Sequence, residues 1–317
     1  MRCQRASQVG VLSIFIVMLF LNTQTLHSQS RCDVAVQITP EQSAYIEYEP
    51  IRLTLTYVNR GSAESQVLVE KPSFYDDLQF HDLKDGLAKK QINRRGGIGR
   101  MQSLAPGQKW STPIFLQTYL ENPPVGTYTI QFQMTVYCKG GKSPLSSGTL
   151  SFRVLPSTSQ QLRDVITTYD KALSSPESLS AVEALTSMDT PLVIPELEKI
   201  IAIGDVQEGF RALAKFENSP EARKSIHDFL SSKDPHYQAA ALDVMSEWRL
   251  PLDQSQVTEL AQSPKRIVKL AIIRYVGTMG QSEYRSSIER LTNDQDELVA
   301  QQARRVAKGL ASQSHQP

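Results

Sequence analysis

The chain has 317 residues, of which 40% are hydrophobic, and this is long enough for two domains with separate cores. Its 34 basic and 33 acidic residues give a formal net charge of +1, which is unlike a strongly basic nucleic-acid-binding protein. The hydrophobic fraction also excludes a chain that is disordered throughout.

The first thirty residues have the layout of a secretory signal peptide. Arg2 and Arg5 precede an uncharged apolar run, Val9–Leu21, and polar residues that include Ser28 and Ser30 follow it. A membrane anchor is the alternative, but about 20 apolar residues are needed to cross a bilayer and this run is shorter. We therefore predict cleavage near Ser28 or Ser30, and a secreted or periplasmic mature protein that has no membrane span.

Removal of residues 1–30 leaves two of the three cysteines, Cys32 and Cys138. An even pair in an oxidising compartment favours a disulfide. The alternation of the flanking residues places both side chains on an inward face, and the first and sixth predicted strands run in opposite directions. The start of one strand therefore lies near the end of the other. We predict a Cys32–Cys138 disulfide, with two separate buried thiols as the alternative.

Residues 33–155 show the alternation of apolar and polar side chains that marks half-buried strands. Turn signals rich in Gly, Pro and Asn separate the alternating runs. About seven strands in about 125 residues are typical of an antiparallel sandwich. The clearest runs are Ile51, Leu53, Leu55 and Tyr57, and Leu150, Phe152 and Val154.

Two short motifs resemble those of immunoglobulin-like modules in exported bacterial proteins. They are the turn Leu104-Ala105-Pro106-Gly107 and the strand start Val125-Gly126-Thr127-Tyr128. The resemblance implies an immunoglobulin-like antiparallel β-sandwich over residues 31–156, in which Tyr128 makes a contact like that of a tyrosine corner. The pattern is also similar to the sandwich of intracellular proteinase inhibitors, a match that an exported location argues against.

The segment 89–100 carries five basic side chains and no acidic one. Such a segment can contact an anionic partner through its Lys and Arg side chains. Its glycines are instead typical of a solvated hairpin loop, in which they serve the backbone geometry. The sequence favours the hairpin loop and leaves the anionic partner open.

After Pro156 the alternation ends and a helical pattern begins. Proline at the start of a helix, preceded by a capping Ser or Asp, marks several helices, as at Ser219-Pro220, Asp234-Pro235 and Ser263-Pro264. An apolar position returns every 31 residues in the last units, which predicts ten short helices in five stacked hairpins. The repeating positions are Val206, Tyr237, Val268 and Val299.

These units resemble the short HEAT-like repeats of many bacterial proteins, and residues 267–277 are the best single match. The resemblance implies an α-helical HEAT-like solenoid over residues 157–311, followed by a disordered tail over 312–317. One departure is that the basic residue usual after the repeated valine is present only as Lys269.

The second helix of each unit has a face opposite its apolar stripe, and in a stack these faces form one continuous surface. Residues 159–317 contain 18 basic and 22 acidic side chains, so this face is enriched in basic residues against its background. We predict that it binds a protein partner through a basic rim around an apolar floor. The alternative is that its apolar residues pack internally and its charges are ordinary helix surface. The predicted residues are Arg211, Lys215, Leu242, Leu270, Ile273, Arg274, Arg304 and Arg305.

No motif for catalysis is evident. The histidines after residue 30, which are His81, His227, His236 and His315, have no metal-ligand spacing and lie beside no nucleophile motif. We therefore expect no catalytic residue, no metal and no cofactor, and a near-neutral exported chain is not expected to bind nucleic acid.

These observations predict a multidomain protein with an all-β part and an all-α part. We expect an exported, non-enzymatic scaffold or adaptor that binds a protein partner through the solenoid groove. The alternatives are an accessory module of an envelope enzyme, and a proteinase inhibitor that acts through the sandwich.

Overall fold

The computed structural model describes residues 32–69, 78–82, 100–175 and 177–313. The predicted signal peptide, the basic segment except for Arg100, and residues 314–317 lie outside the described residues. Within them, an N-terminal half of strands is followed by a C-terminal half of helices, as the sequence predicts.

The N-terminal half consists of antiparallel sheets. Eleven strands are present in the described part, more than the seven predicted, because five of them are only two to four residues long. The strands are β1 (Val34–Pro40), β2 (Ala44–Ile46), β3 (Arg52–Asn59), β4 (Ser65–Leu68), β5 (Leu78–Asp82), β6 (Met101–Leu104), β7 (Lys109–Phe115), β8 (Gly126–Met134), β9 (Tyr137–Cys138), β10 (Gly141–Lys142) and β11 (Ser146–Leu155).

The strands form three sheets, with the orders β1-β3-β7, β10-β9-β4-β6 and β2-β11-β8-β5. The short β2 runs parallel to β11, and the other pairs are antiparallel. Buried and partly exposed residues alternate along the whole of β3, because successive side chains point to opposite faces of a sheet. The inward side chains of the three sheets form one hydrophobic core.

A disulfide joins Cys32 to Cys138, in agreement with the prediction, and the two Cα atoms are 5.9 Å apart. It connects the start of β1 to β9, which belong to different sheets. The bond spans 106 residues, and closing a loop of that length stabilises the folded state by roughly 4 to 5 kcal/mol in the chain-entropy model. The bond is compatible with an extracellular location.

Ten α-helices form the C-terminal half of the described chain. Ser219 and Asp234 cap two of them, as predicted, through hydrogen bonds from the backbone N–H of Ala222 and of His236. The helices are α1 (Ser159–Ala172), α2 (Ser178–Ser187), α3 (Ile194–Ala202), α4 (Val206–Leu213), α5 (Pro220–Leu230), α6 (Pro235–Glu247), α7 (Gln254–Ala261), α8 (Arg266–Met279), α9 (Arg285–Leu291) and α10 (Glu297–Gln313).

Two boundaries differ from the predicted ones. The α8 helix begins at Arg266, two residues after Pro264, because Ser263 bonds to the backbone N–H of Lys265 in the preceding turn. The α10 helix continues to Gln313, into the segment predicted as a tail.

Each odd-numbered helix packs against the even-numbered helix that follows it, and the even-numbered helices pack against one another in chain order. One core runs through all of these contacts. Tyrosines add hydrogen bonds between successive units: the Tyr275 hydroxyl donates to the carbonyl of Leu250 at 2.7 Å, and the Tyr284 hydroxyl donates to that of Leu252 at 2.5 Å. Neither hydroxyl is therefore left without a partner in the core.

The two halves touch where the strands meet α1 and α2. The Phe115 and Tyr169 rings pack edge to face, with centroids 6.4 Å apart. Asn122 donates a hydrogen bond to the Asp189 carboxylate just after α2. Burial at this contact raises the pKa of Tyr169 to about 12.

Among the described residues, none of the helices combines the length and the apolar character needed to cross a bilayer.

Candidate partner-binding surfaces

The apolar side chains predicted to form the floor of a binding surface on the second helices are buried or half-buried. Leu242 is 0% exposed and Ile273 is 2% exposed, and both belong to the helical core. Leu270 is half-buried and packs against the same core. Leu242 and Ile273 therefore do not form an exposed floor, and the alternative of internal packing describes them.

The 31-residue period explains this burial. Leu242, Ile273 and Arg304 occupy equivalent positions in α6, α8 and α10. The α8 helix packs along α6, and α10 packs along α8, whereas none of the described elements packs beyond α10. A second helix in the middle of the stack is thus covered by a neighbour on each of two sides. The single apolar stripe that the sequence shows describes only one of these two buried faces.

The basic residues predicted for this surface are mostly neutralised by acidic neighbours. Their nitrogen-to-oxygen distances to these neighbours are between 2.6 and 3.1 Å. Arg305 is exposed and has no polar partner among the described residues. The surface is therefore not a continuous basic rim. The pairs are Arg211 with Glu208, Lys215 with Asp189, Arg274 with Asp243 and Arg304 with Glu297.

Lys215 has a structural role at the contact between the halves. Its ammonium group lies 3.1 Å from the Asp189 carboxylate and donates to the carbonyl oxygen of Thr186 at 2.6 Å. Because Asn122 bonds to the same carboxylate, Asp189 connects the N-terminal half to the turn after α2 and, through Lys215, to the end of α4.

A groove of about 600 Å³ opens on the other side of the stack, between the first helices α3 and α5. We call it the α3/α5 groove. Its floor is mainly apolar, and its rim carries two carboxylates and one ammonium group. The lining residues are Pro191, Leu192, Ile194, Pro195, Glu198, Glu221, Lys224 and Ser225.

Local sequence positions both sides of the α3/α5 groove. On one side, Pro191 begins a 3-10 turn that leads into α3, which exposes Pro195 and leaves Leu192 half-buried. On the other side, Pro220 occupies the first turn of α5 after the cap Ser219. The Ser219 hydroxyl also donates to the Glu221 carboxylate at 2.7 Å, which holds that carboxylate beside the helix start.

The α3/α5 groove carries a net negative charge, because two carboxylates line it with one ammonium group that is itself paired with Asp228. Glu198 accepts a hydrogen bond from the Ser225 hydroxyl, and Glu221 accepts one from Ser219. Neither carboxylate forms a direct ion pair with a described residue, although the charge of Lys224, which lines the same groove, interacts with that of Glu198. The bond from Ser219 lowers the pKa of Glu221, so this group is ionised at neutral pH. Lys224 instead pairs with Asp228 at 2.7 Å.

A second hollow, of about 240 Å³, lies further along the same side, where α7 and α9 meet the start of α8. We call it the α7/α9 hollow. The hydroxyls of Thr258 and Ser287 bond to each other across it at 2.9 Å. Its other polar lining residues are Gln262, Lys269, Arg290 and Asp294. A shallower trough of about 460 Å³ adjoins it and includes Glu259.

In the α7/α9 hollow, Lys269 and Asp294 form an ion pair at 2.5 Å, and this bond lowers the pKa of Asp294. Arg290 is exposed and makes neither an ion pair nor a hydrogen bond with any described residue. The uncompensated charge of the hollow is therefore positive.

The sequence pattern predicts neither the α3/α5 groove nor the α7/α9 hollow. The segments Ile194-Pro195-Glu196 and Ser219-Pro220-Glu221 are recognisable as helix starts, but not as two walls of one groove. The feature of the sequence that could have indicated the α3/α5 groove is the recurrence of a proline followed by an acidic residue at the start of two successive first helices.

Within the described ranges, no group of three or more His, Cys, Asp or Glu side chains is placed to hold a metal ion. His81 lies in β5, and His227 and His236 lie exposed on α5 and α6. The structure places them on three separate elements.

No protein-family model matches this chain, and no curated protein matches it. Among solved structures, the chain is similar to an engineered protein of the Northeast Structural Genomics Consortium, with 18% identity, a TM-score of 0.30 and coverage of 48% of this chain and 83% of that one. Another engineered protein of that consortium has 19% identity and a TM-score of 0.31, over 48% of this chain and 84% of that one. A mutant of Salmonella alpha-2-macroglobulin has 11% identity and a TM-score of 0.24, over 90% of this chain and 26% of that one. TM-scores this low carry no argument about the fold or activity of this chain.

Proposed function

We propose that the chain is an exported, non-enzymatic scaffold that binds a cationic, partly apolar segment of a protein partner in the α3/α5 groove. An immunoglobulin-like sandwich forms its N-terminal half, and a HEAT-like solenoid forms its C-terminal half. The binding surface lies on the first helices rather than on the second helices.

The proposed sandwich is supported by the sheets and by Tyr128. Antiparallel sheets share one core, as in a sandwich. The Tyr128 hydroxyl donates to the carbonyl oxygen of Pro124 at 2.6 Å, which is a bond of a strand tyrosine to the backbone a few residues upstream. A tyrosine corner makes the same kind of bond.

The proposed solenoid is supported by contacts between residues that lie about one repeat apart. Thr258 bonds to Ser287 and Lys199 to Asp170, each 29 residues apart, and Arg274 bonds to Asp243, 31 residues apart. In a stack of similar units, residues at equivalent positions face each other across the boundary between neighbours.

The observation that carries the binding proposal is the chemistry of the α3/α5 groove. Prolines and Leu192 offer an apolar floor, and the carboxylates of Glu198 and Glu221 outnumber the single ammonium of Lys224, which is paired with Asp228. A peptide with a basic side chain beside an apolar one satisfies both features, because its charge meets the carboxylates and its apolar group covers the floor. The groove of about 600 Å³ between these first helices provides the space for such a segment.

Selection from a random peptide library displayed on phage tests the proposal. The purified mature chain is expected to enrich peptides with Lys or Arg beside Leu or an aromatic residue. The double variant Glu198→Gln/Glu221→Gln is expected to lose this enrichment, whereas Glu64→Gln/Glu247→Gln, which neutralises two exposed carboxylates elsewhere, retains it. Identical selections by the wild type and the groove variant would overturn the proposal.

A further inference from the structure

We infer that the partner segment is bound in a fixed direction, because Arg290 in the α7/α9 hollow recognises a carboxylate that lies about six residues from the basic residue in the α3/α5 groove. This inference rests on the proposed function and adds the second recognition point and the chemical pattern of the partner.

The two depressions lie on the same side of the helical stack. Residues of α3 and α5 line one, and residues of α7 and α9 contribute to the other, so both open on the odd-numbered helices. A second observation links them: in each, a side-chain hydroxyl bonds across the two first helices, Ser225 to Glu198 in one and Thr258 to Ser287 in the other. Both depressions therefore lie along one row of first helices, which a single extended segment can follow.

Charge changes sign between these depressions. Glu198 and Glu221 form no direct ion pair and outnumber Lys224 at the first, and Glu259 continues the acidic character onto α7. Arg290 on α9 is the unpaired cation of the second, because Lys269 is held by Asp294. An extended segment with a base at one end and an acid at the other therefore gains at both ends in one orientation and is repelled at both ends in the other.

The spacing follows from helix packing. The midpoints of the two depressions are separated by two helix-to-helix steps, and packed helices lie about 8 to 10 Å apart, which gives about 16 to 20 Å. An extended chain advances about 3.3 Å per residue, so roughly six residues separate the basic residue from the acid. The carboxylate is supplied by an Asp or Glu side chain or by a chain terminus, and both sources have the same charge and hydrogen-bonding geometry.

Arg290 is suited to this role by its chemistry. A guanidinium group donates two parallel hydrogen bonds to a carboxylate, and the Gln262 amide lines the same hollow as a further donor. The Arg290 side chain is exposed, so the ion pair that it forms with the partner's carboxylate stays partly hydrated. This pair therefore contributes more to the direction in which the segment binds than to the affinity.

Fluorescence anisotropy with labelled peptides and the full mature chain tests the inference. The reference peptide has Lys-Leu at one end and Gln about six residues away, in a Gly, Ser and Thr background with an amidated terminus. The peptide is made in two versions, with Lys-Leu at the N-terminal end or at the C-terminal end. In one of these versions, replacing Gln by Glu is expected to tighten binding roughly two- to fivefold, which is the effect of one partly exposed ion pair. A further peptide places the terminal carboxylate itself at that position, which separates the two sources.

Variants assign the effect to Arg290. Arg290→Gln is expected to abolish the gain from Glu, and Arg290→Glu is expected to reverse it and to favour Lys at that end. Arg305→Gln removes an arginine that is equally exposed and unpaired on α10, and it should leave the gain intact.

The outcomes separate this inference from the proposed function. If the Gln peptide binds the wild type but not Glu198→Gln/Glu221→Gln, and Glu adds nothing in either order, the direction inference is overturned while the groove proposal stands. An equal loss in Arg290→Gln and Arg305→Gln also overturns it. If no peptide binds, both proposals fail.

Discussion

Arg274 donates hydrogen bonds to both carboxylate oxygens of Asp243, the residue 31 positions before it, at 2.8 and 2.9 Å. The two residues occupy equivalent positions in α6 and α8, so the bond joins neighbouring units of the helical stack. It also means that Arg274 is already paired and that this part of the second-helix surface is nearly neutral. The neighbouring Ile273 points the other way, into the core.

Replacing these two neighbours is expected to have opposite consequences. Ile273→Ala should lower the free energy of unfolding by roughly 2 to 5 kcal/mol, because it leaves a cavity in the core. Arg274→Gln should lower it by less than about 1 kcal/mol, since the side chains of Arg274 and Asp243 are 55% and 53% exposed and water screens their attraction. Urea unfolding followed by circular dichroism measures both, and a similar loss in the two variants would contradict the placement of Ile273.

The disulfide is expected to stabilise the N-terminal half more than the C-terminal half. Cys32→Ser/Cys138→Ser should reduce the stability of the strand half by roughly 4 to 5 kcal/mol in the chain-entropy model, because the bond closes a loop of 106 residues. Thermal unfolding with and without a thiol reductant measures this effect. The double variant serves as its own control, since its transition should no longer respond to the reductant, and an unchanged wild-type transition under full reduction would contradict the expectation.

Lys215 is expected to stabilise the contact between the halves rather than to bind a partner. Lys215→Met removes the ion pair with Asp189 and the bond to Thr186, so we expect a loss of roughly 1 to 2 kcal/mol and faster protease cleavage in the joint at residues 156–158. Lys224→Met is the matched control, because Lys224 is paired within its own helix to Asp228. Equal cleavage rates in the two variants would argue against this role.

The contact between the halves is expected to weaken at high pH. Burial raises the pKa of Tyr169 to about 12 from its ordinary value of 10.0, so the unfolded chain loses this proton first. The stability linked to this group is therefore fully present below about pH 10 and is lost as pH rises towards 12. Tyr169→Phe should remove one late step, near pH 12, from the tyrosinate absorbance titration. Loss of a step at about pH 10 instead would show that the hydroxyl is not buried.

Much of the local structure was predictable because it depends on short-range patterns. The period-two alternation around Leu53 and Leu55 identifies β3 and its buried face, since strand side chains alternate whatever the rest of the chain does. The same alternation places Cys32 and Cys138 on inward faces, which predicts the disulfide between them. Capping at Ser219 and Asp234 follows from hydrogen bonds that reach only two or three residues ahead.

The candidate site depended on contacts between residues far apart in the chain. A helical period shows that Leu242 and Ile273 lie away from the main apolar stripe, but whether a neighbouring helix covers them is decided by how the units stack. In the same way, Glu198 and Ser225 are 27 residues apart and form one groove only because α3 and α5 lie side by side. The sequence by itself therefore determined the strands, the helices, the caps and the cysteine pair, whereas tertiary packing decided which helix faces remain open, because burial depends on the neighbour as well as on the residue.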